Sequence, residues 1–189
     1  MIKLRYGNTN TYFLNGLLID TDMPGTLPGL QRELKRYSLS HRDVRYVLCT
    51  HYHPDHMGLV STLNDMGVQL LLFEHQLPHI HYSDAIFSRQ PALACPPVDE
   101  SRAAVISCAD SRHFLTSLGI MGEIVPTFSH SPDGIALVTD EGDAVVGDLE
   151  PKEYAEGYED PSLLLRDWDS VLSLCPKTVH FGHYPDRAL

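Results

Sequence analysis

The sequence is short of positive charge. Fourteen Lys and Arg face 25 Asp and Glu over 189 residues, a formal net charge of -11. Nucleic acids and anionic membrane surfaces are therefore not expected as partners, because both are bound through a basic face. No run of residues approaches the ~20 consecutive apolar positions of a membrane span. Residues 1–6 are too short and too polar for a secretory leader. Cysteine is scarce and scattered: Cys49, Cys95, Cys108 and Cys175 form no C-x-x-C pair. They read as reduced thiols of a cytoplasmic protein and not as a disulfide framework. Internal repeats, low-complexity tracts and long linkers are missing as well.

What remains is an ordinary globular composition, 43% apolar and 21% charged. The length suits one domain, 1–189, able to bury roughly 70% of the surface its unfolded form exposes. Histidine is the exception, with 11 copies in an otherwise unremarkable composition.

Short branched and aromatic runs at 2–6, 11–14 and 17–19 predict strands, and Asn15-Gly16 predicts a hairpin turn between the last two. Leu27, Leu30 and Leu34 have helical spacing. Residues 44–49 and 68–73 are apolar runs fitting buried strands, with a helix over 59–66 between them. The stretch 75–105 carries Pro78, Pro91, Pro96 and Pro97 and reads as irregular. In so economical a chain, a stretch of that length is expected to be a functional flap, placed at 76–105. A helix over 107–118, strands at 123–127, 135–139 and 144–146, a helix over 161–174 and a strand at 178–181 complete the reading. Strands alternating with helices predict an α/β fold.

The chemistry gathers in His51-Tyr52-His53-Pro54-Asp55-His56, immediately after a predicted strand. Four metal-capable side chains lie within six residues. Taken as an extended loop, the segment would project His51, His53 and Asp55 to one side. His56 would bend back toward a second position at the turn near Gly58. A zinc site wants four ligands, at least three of them from protein, so further ligands must come from afar. His130, Asp148 and His183 each follow a predicted strand, where the loops of one sheet edge would let them converge. Any one of these alone reads as a solvated or hydrogen-bonded residue; the cluster as a set does not.

These residues, together with Asp20 in Leu18-Ile19-Asp20-Thr21, resemble the five ordered motifs of the metallo-β-lactamase fold hydrolases. The resemblance runs from Asp20 to His183 and implies a four-layer αββα sandwich with a metal pair at one edge of two sheets. Carried over residue by residue, it implies one metal on His51, His53 and His130, and a second on Asp55, His56 and His183. It implies that Asp148 bridges both and that Asp20 orients a ligand imidazole from behind. Two divalent transition-metal ions would be the cofactors, zinc foremost, with iron or manganese as alternatives. Such a pair lowers the pKa of a bridging water toward ~7 and supplies a hydroxide nucleophile. Asp55 would also manage the proton passed to the leaving group. The sequence departs from the family at Asp22 and Ser129, where glycine is common.

Within the family, the branches differ in ways this sequence can be held against. The chain ends six residues after His183, where glutathione-type thioesterases carry a helical extension. Zinc β-lactamases usually lack a carboxylate at the Asp148 position, and nuclease branches carry large inserted domains. The expected substrate is a small ester, lactone, thioester or phosphodiester. An iron-dependent oxygenase of the persulfide dioxygenase type, or a non-catalytic metal-binding sensor, are the alternatives. Tyr154 and Tyr158 follow Asp148 and are candidate substrate contacts, as are Tyr82 and Phe87 in the flap. His75, His79 and His81 read as surface or flap residues, and Cys49 as a small core residue.

Overall fold

Asn15 and Gly16 take positive φ, 46° and 87°, so the Asn-Gly pair makes the hairpin turn its sequence predicts. It joins β2 (Thr11–Leu14) to β3 (Leu17–Ile19), with β1 (Ile2–Leu4) antiparallel on the far side of β2. β4 (Tyr46–Leu48), β5 (Gln69–Phe73) and β6 (Ala103–Ile106) add to β3 in parallel. The structure, a computed structural model, describes residues 1–93, 95–157 and 160–189. Among these the strands form two sheets, one of six in the order β1-β2-β3-β4-β5-β6. The other has five, in the order β11 (Arg187–Ala188), β10 (Thr178–Phe181), β9 (Asp143–Gly147), β8 (Ile135–Thr139) and β7 (Gly122–Pro126).

The pleat sorts the side chains into layers. In the first sheet Leu18, Val47, Leu70 and Leu72 face helices α1 (Leu27–Arg36), α2 (Pro54–Met57) and α3 (Val60–Asp65). Their sequence neighbours Leu17, Ile19, Leu48, Leu71 and Phe73 face the second sheet, meeting Ile135, Leu137 and Val145. This alternation is the period of two that a strand imposes. The outer face of the second sheet is covered by Leu164, Trp168 and Val171 of α6 (Pro161–Leu172). Helices, sheet, sheet and helix make the four-layer αββα sandwich. The short α5 (Ser111–Ser117) closes one side of the middle layer with Leu115.

Strand direction decides where the chemistry goes. β3 and β4 are parallel, and so are β9 and β10; β7 is antiparallel to β8, which is antiparallel to β9. The C-terminal ends of β3 and β4, and of β7, β9 and β10, therefore share an edge within each sheet. The residues that follow them, Asp20, His51, His130, Asp148 and His183, all leave from that edge. Backbone bonds lace the two sheets together there: Asn10 N–H donates to the Gly182 carbonyl at 2.8 Å, and Ile135 N–H to the Thr50 carbonyl at 2.9 Å.

Three expectations are corrected. The histidine segment is not extended throughout: α2 begins at Pro54, whose fixed φ suits a first helical turn, and carries Asp55 and His56. The irregular stretch ends earlier than expected, because Ala103–Ile106 forms the edge strand β6. The segment before it is also not a free flap. Ile80, Phe87 and Val98 are 1%, 5% and 3% exposed and belong to the core under α1–α3. Their burial explains the short ordered helical turns at Glu74–His79, Pro91–Leu93 and α4 (Asp84–Phe87) in a proline-rich sequence. Among the described residues no helix is long and apolar enough to cross a membrane.

Phe87 thus anchors this segment as a core residue does. Phe87→Ala should lower the unfolding free energy by about 3–5 kcal/mol, the cost of emptying a buried phenylalanine site. Urea denaturation of the two proteins measures it. A loss below about 1 kcal/mol would return the segment to the status of a detachable flap.

Candidate metal centre

Asp20 sits just past β3 with φ 57°, a left-handed conformation that Asp tolerates better than most side chains. Its carboxylate is buried and receives three hydrogen bonds. Thr50 N–H donates at 2.6 Å, Thr50 Oγ1–H at 2.8 Å and His56 Nδ1–H at 2.9 Å. With its hydroxyl proton committed to Asp20, Thr50 Oγ1 accepts from His51 Nδ1–H at 3.2 Å. His183 Nδ1–H donates to the Asn8 carbonyl at 3.3 Å. Each of these bonds fixes a tautomer. In His51, His56 and His183 a proton is held on Nδ1, and Nε2 is the atom left facing inward.

The inward-facing atoms form three overlapping groups, each with donor atoms within 4.8 Å of one another. These are His51, His53 and His130; His51, His56 and Asp148; and Asp55, His56 and His183. His130 Nε2 lies 3.1 Å from His53 Nδ1. His183 Nε2 lies 3.0 Å from Asp55 Oδ2 and 3.4 Å from Asp148 Oδ2, and His56 Nε2 lies 3.3 Å from Asp148 Oδ1. Donors bound tetrahedrally at ~2.0–2.1 Å would stand about 3.3 Å apart, so the spacing fits a transition-metal ion. His51 Nε2 is buried with no hydrogen-bond partner, and His56 Nε2 and Asp148 Oδ1 are buried facing only each other at 3.3 Å. Orphaned polar atoms of that kind cost stability unless something else satisfies them, and a cation does so. The donor set fits a metal pair.

The backbone makes room for this. Gly182 comes so close that a Cβ there would lie 2.4 Å from Asp148 Oδ1 and 2.8 Å from His56 Cε1. Gly147 has φ 57°, and a Cβ there would meet Thr50 Oγ1 at 2.3 Å. Both glycines belong to the motifs Gly147-Asp148 and Gly182-His183, and these close approaches give them their physical reason. Sequence reasoning missed Asp133, which is buried, accepts from Tyr52 N–H at 2.6 Å and is bonded by Ser131 Oγ. Asp133 thereby ties the loop of His51 and His53 to the loop of His130. Gln76 is a second tie, donating to the Cys49 and Asp133 carbonyls at 3.0 Å each. At the departure Ser129, the backbone N–H donates to Asp167 of α6 at 2.6 Å and so steadies the approach to His130.

The remaining candidates fall around the centre. Tyr82 places its ring 5.1 Å from that of His53 and is 57% exposed, so part of the 76–105 segment borders the site. Ser83 Oγ holds it there by donating to the Tyr52 carbonyl at 2.6 Å. Tyr154 is exposed, with its ring against Tyr184. Tyr158 lies outside the described residues. His75 packs on Phe128, and His81 pairs with Asp84 and Glu100. Among the described residues, none of His75, His79 and His81 joins a metal-capable cluster. Cys49 is buried in the core, and burial pushes its thiol well above the ordinary value.

Electrostatics follow from the same contacts. Burial holds His51 and His53 below the ordinary imidazole value, as a neutral metal ligand requires. Burial lowers His56 too, but the Asp20 charge and bonds to Asp148 and Asp20 overcome it and carry the ring up to about 10. Bonds to Asp148 and Asp55 raise His183 to about 10. Burial raises Asp148, but bonds to His183 and His56 hold it well below the usual carboxylate range.

A sequence model described as the metallo-beta-lactamase superfamily matches residues 4–183. A search of curated protein sequences finds no match. Among solved structures, a metallo-beta-lactamase family protein of Thermus thermophilus is 22% identical, with a TM-score of 0.72 over 95% of this chain and 70% of its own. TTHA1623, solved in a di-iron-bound form, is 26% identical, with a TM-score of 0.69 over 99% and 93%. The B3 metallo-beta-lactamase BLEG-1 is 20% identical, with a TM-score of 0.67 over 99% and 93%.

Protons and metal compete for His56 and His183. In the metal-free protein both rings titrate near 10, above the ~6.5 of an unfolded chain. Their contribution to metal-free stability is therefore full below about pH 6.5 and lost as pH rises through 10. Metal affinity runs the other way, because a bound cation must displace these protons. Zinc titration calorimetry at pH 7 in buffers of different ionisation enthalpy should show about two protons released, with affinity falling as pH falls. Binding without proton release would contradict this assignment.

Proposed function

The chain belongs to the metallo-β-lactamase superfamily, and we propose that it is a metal-dependent hydrolase of a small ester, lactone, thioester or phosphodiester. The observation that carries this reading is the pair of donor triads sharing one edge, with Asp148 between them and the ring tautomers already set. His51, His53 and His130 would hold one ion and Asp55, His56 and His183 the other, with Asp148 shared. Two divalent transition-metal ions held here, zinc or alternatively iron or manganese, would lower the pKa of a shared water toward ~7 and polarise the scissile oxygen.

The chain's own residues supply the rest. Asp148 offers one oxygen toward His56 and the other toward His51, His130 and His183, so its charge would screen two bound cations from each other. Asp55 is ionised: burial opposes this, but the bond to His183 prevails. Its carboxylate can take the proton released as water attacks and return it to the leaving group. Tyr82 forms a wall that a substrate passes, and Tyr154 is a candidate contact beside Tyr184. The four unpaired cysteines support a reducing, cytoplasmic setting.

A second reading has one observation in its favour, the di-iron form of TTHA1623. In that reading the same ligands hold iron and the reaction is oxidation of a persulfide. Oxygen uptake on a persulfide, with iron in the purified protein, would select it.

Asp55→Asn tests the hydrolase reading. At matched metal occupancy, it should slow esters with poor leaving groups by about 10²–10⁴-fold and activated nitrophenyl esters far less. Equal losses on both would reduce Asp55 to a ligand. No turnover by the unaltered chain across esters, lactones, thioesters and phosphodiesters would remove the hydrolase assignment.

A further inference from the structure

Asp22 has only 2% of its surface exposed, yet no cationic side chain bonds to it among the described residues. A buried carboxylate is costly unless hydrogen bonds replace its water. Here both replacements are backbone groups: Oδ1 accepts from Met23 N–H at 2.6 Å and Oδ2 from Thr9 N–H at 3.3 Å. The second bond reaches into the loop between β1 and β2.

That loop touches the second donor triad twice. Thr9 Oγ1–H donates to Asp55 Oδ2 at 3.3 Å, and the Asn8 carbonyl accepts from His183 Nδ1–H at 3.3 Å. Gly7 precedes them. It is exposed and has no positive φ, so neither crowding by the core nor backbone conformation demands glycine. What demands it is Asp22, since a Cβ on Gly7 would lie 1.5 Å from Asp22 Oδ2. The loop has a second anchor at its far end, where Asn10 donates its N–H to the Gly182 carbonyl at 2.8 Å and its side-chain amide to the Phe181 carbonyl at 2.9 Å. Asp22 holds the residues before Asn10, 7–9.

We propose that Asp22 is a positioning residue for the Asp55, His56 and His183 ligand set. It clamps Gly7–Thr9 so that the Thr9 hydroxyl and the Asn8 carbonyl hold Asp55 and His183 in ligating orientation. The proposal rests on the metal-centre reading but not on which reaction the centre performs. Asp22 acts on one triad: among the described residues no hydrogen bond runs from this loop to His51, His53 or His130.

Cobalt(II) titration of the full chain, followed by its visible spectrum, gives two stepwise affinities. Asp22→Gly should weaken one about 10–100-fold, as loss of an outer-shell partner does, and leave the other unchanged. In a His183→Ala background Asp22→Gly should weaken that site less than in the unaltered chain, because only the Thr9–Asp55 contact remains to be lost. Gly7→Ala should weaken the same site in the unaltered chain, yet add nothing once Asp22→Gly has vacated the space. Thr9→Val keeps the shape of the loop and removes only the hydroxyl, so it reads the same site should Asp22→Gly unfold; Thr9→Ser should restore the affinity. Equal weakening of both sites, unchanged affinities in Asp22→Gly and Thr9→Val, or additive effects of Gly7→Ala and Asp22→Gly would each overturn the proposal. Failure of the unaltered chain to bind cobalt would overturn the metal-centre reading itself, and the proposal with it.

Discussion

Asp20 accepts three hydrogen bonds in a site with no access to water, and the orientation of two imidazoles depends on them. An isolated carboxylate buried this way would cost several kcal/mol. Here the bonds from Thr50 and His56 offset the cost and fix both partners. His56 is held directly and His51 through the Thr50 hydroxyl, so one charge orients one ring in each ligand triad. The left-handed backbone at Asp20 turns the side chain out of the strand and into that position.

The rest of the fold brings the other strand ends to the same edge. Parallel pairing within each sheet puts the C-terminal ends of the ligand-bearing strands on one edge, and the middle apolar layer holds the two sheets face to face. Glycine at 147 and 182 lets the backbone of the second sheet approach the rings carried by the first. Carboxylates that bind no metal then hold the loops: Asp133 and Asp167 on the side of His130, and Asp22 on the side of His183. Part of the acidic excess that marks the composition is therefore structural, and part faces the cation site.

Much of this was legible before the fold was known. Local signals found the Asn15-Gly16 turn, the apolar strands and α6, because each is encoded within a few neighbouring residues. The cluster of metal-capable side chains was legible because metal chemistry restricts residue types and their order along the chain. Three features were not. The helical turn at Pro54–Met57 was hidden by reading a dense motif as extended loop. The strand Ala103–Ile106 follows a proline-rich stretch and is defined by pairing with β5, which is not a local property. Gln76, Asp133 and Asp22 act through contacts over 13 to 81 positions of sequence separation, and no periodicity announces such residues. Asp22 stood out only as a departure at a position where glycine is common, and the side chain that fills the space left by Gly7 gives that departure a physical reason.

The number of ions that one chain holds between these triads is open to direct measurement, by elemental analysis of the full chain purified without chelator and dialysed against metal-free buffer. Close to two transition-metal ions per chain are expected, as a two-metal site requires. Protein that retains none, and takes up none when zinc, iron or manganese is supplied, would contradict that expectation.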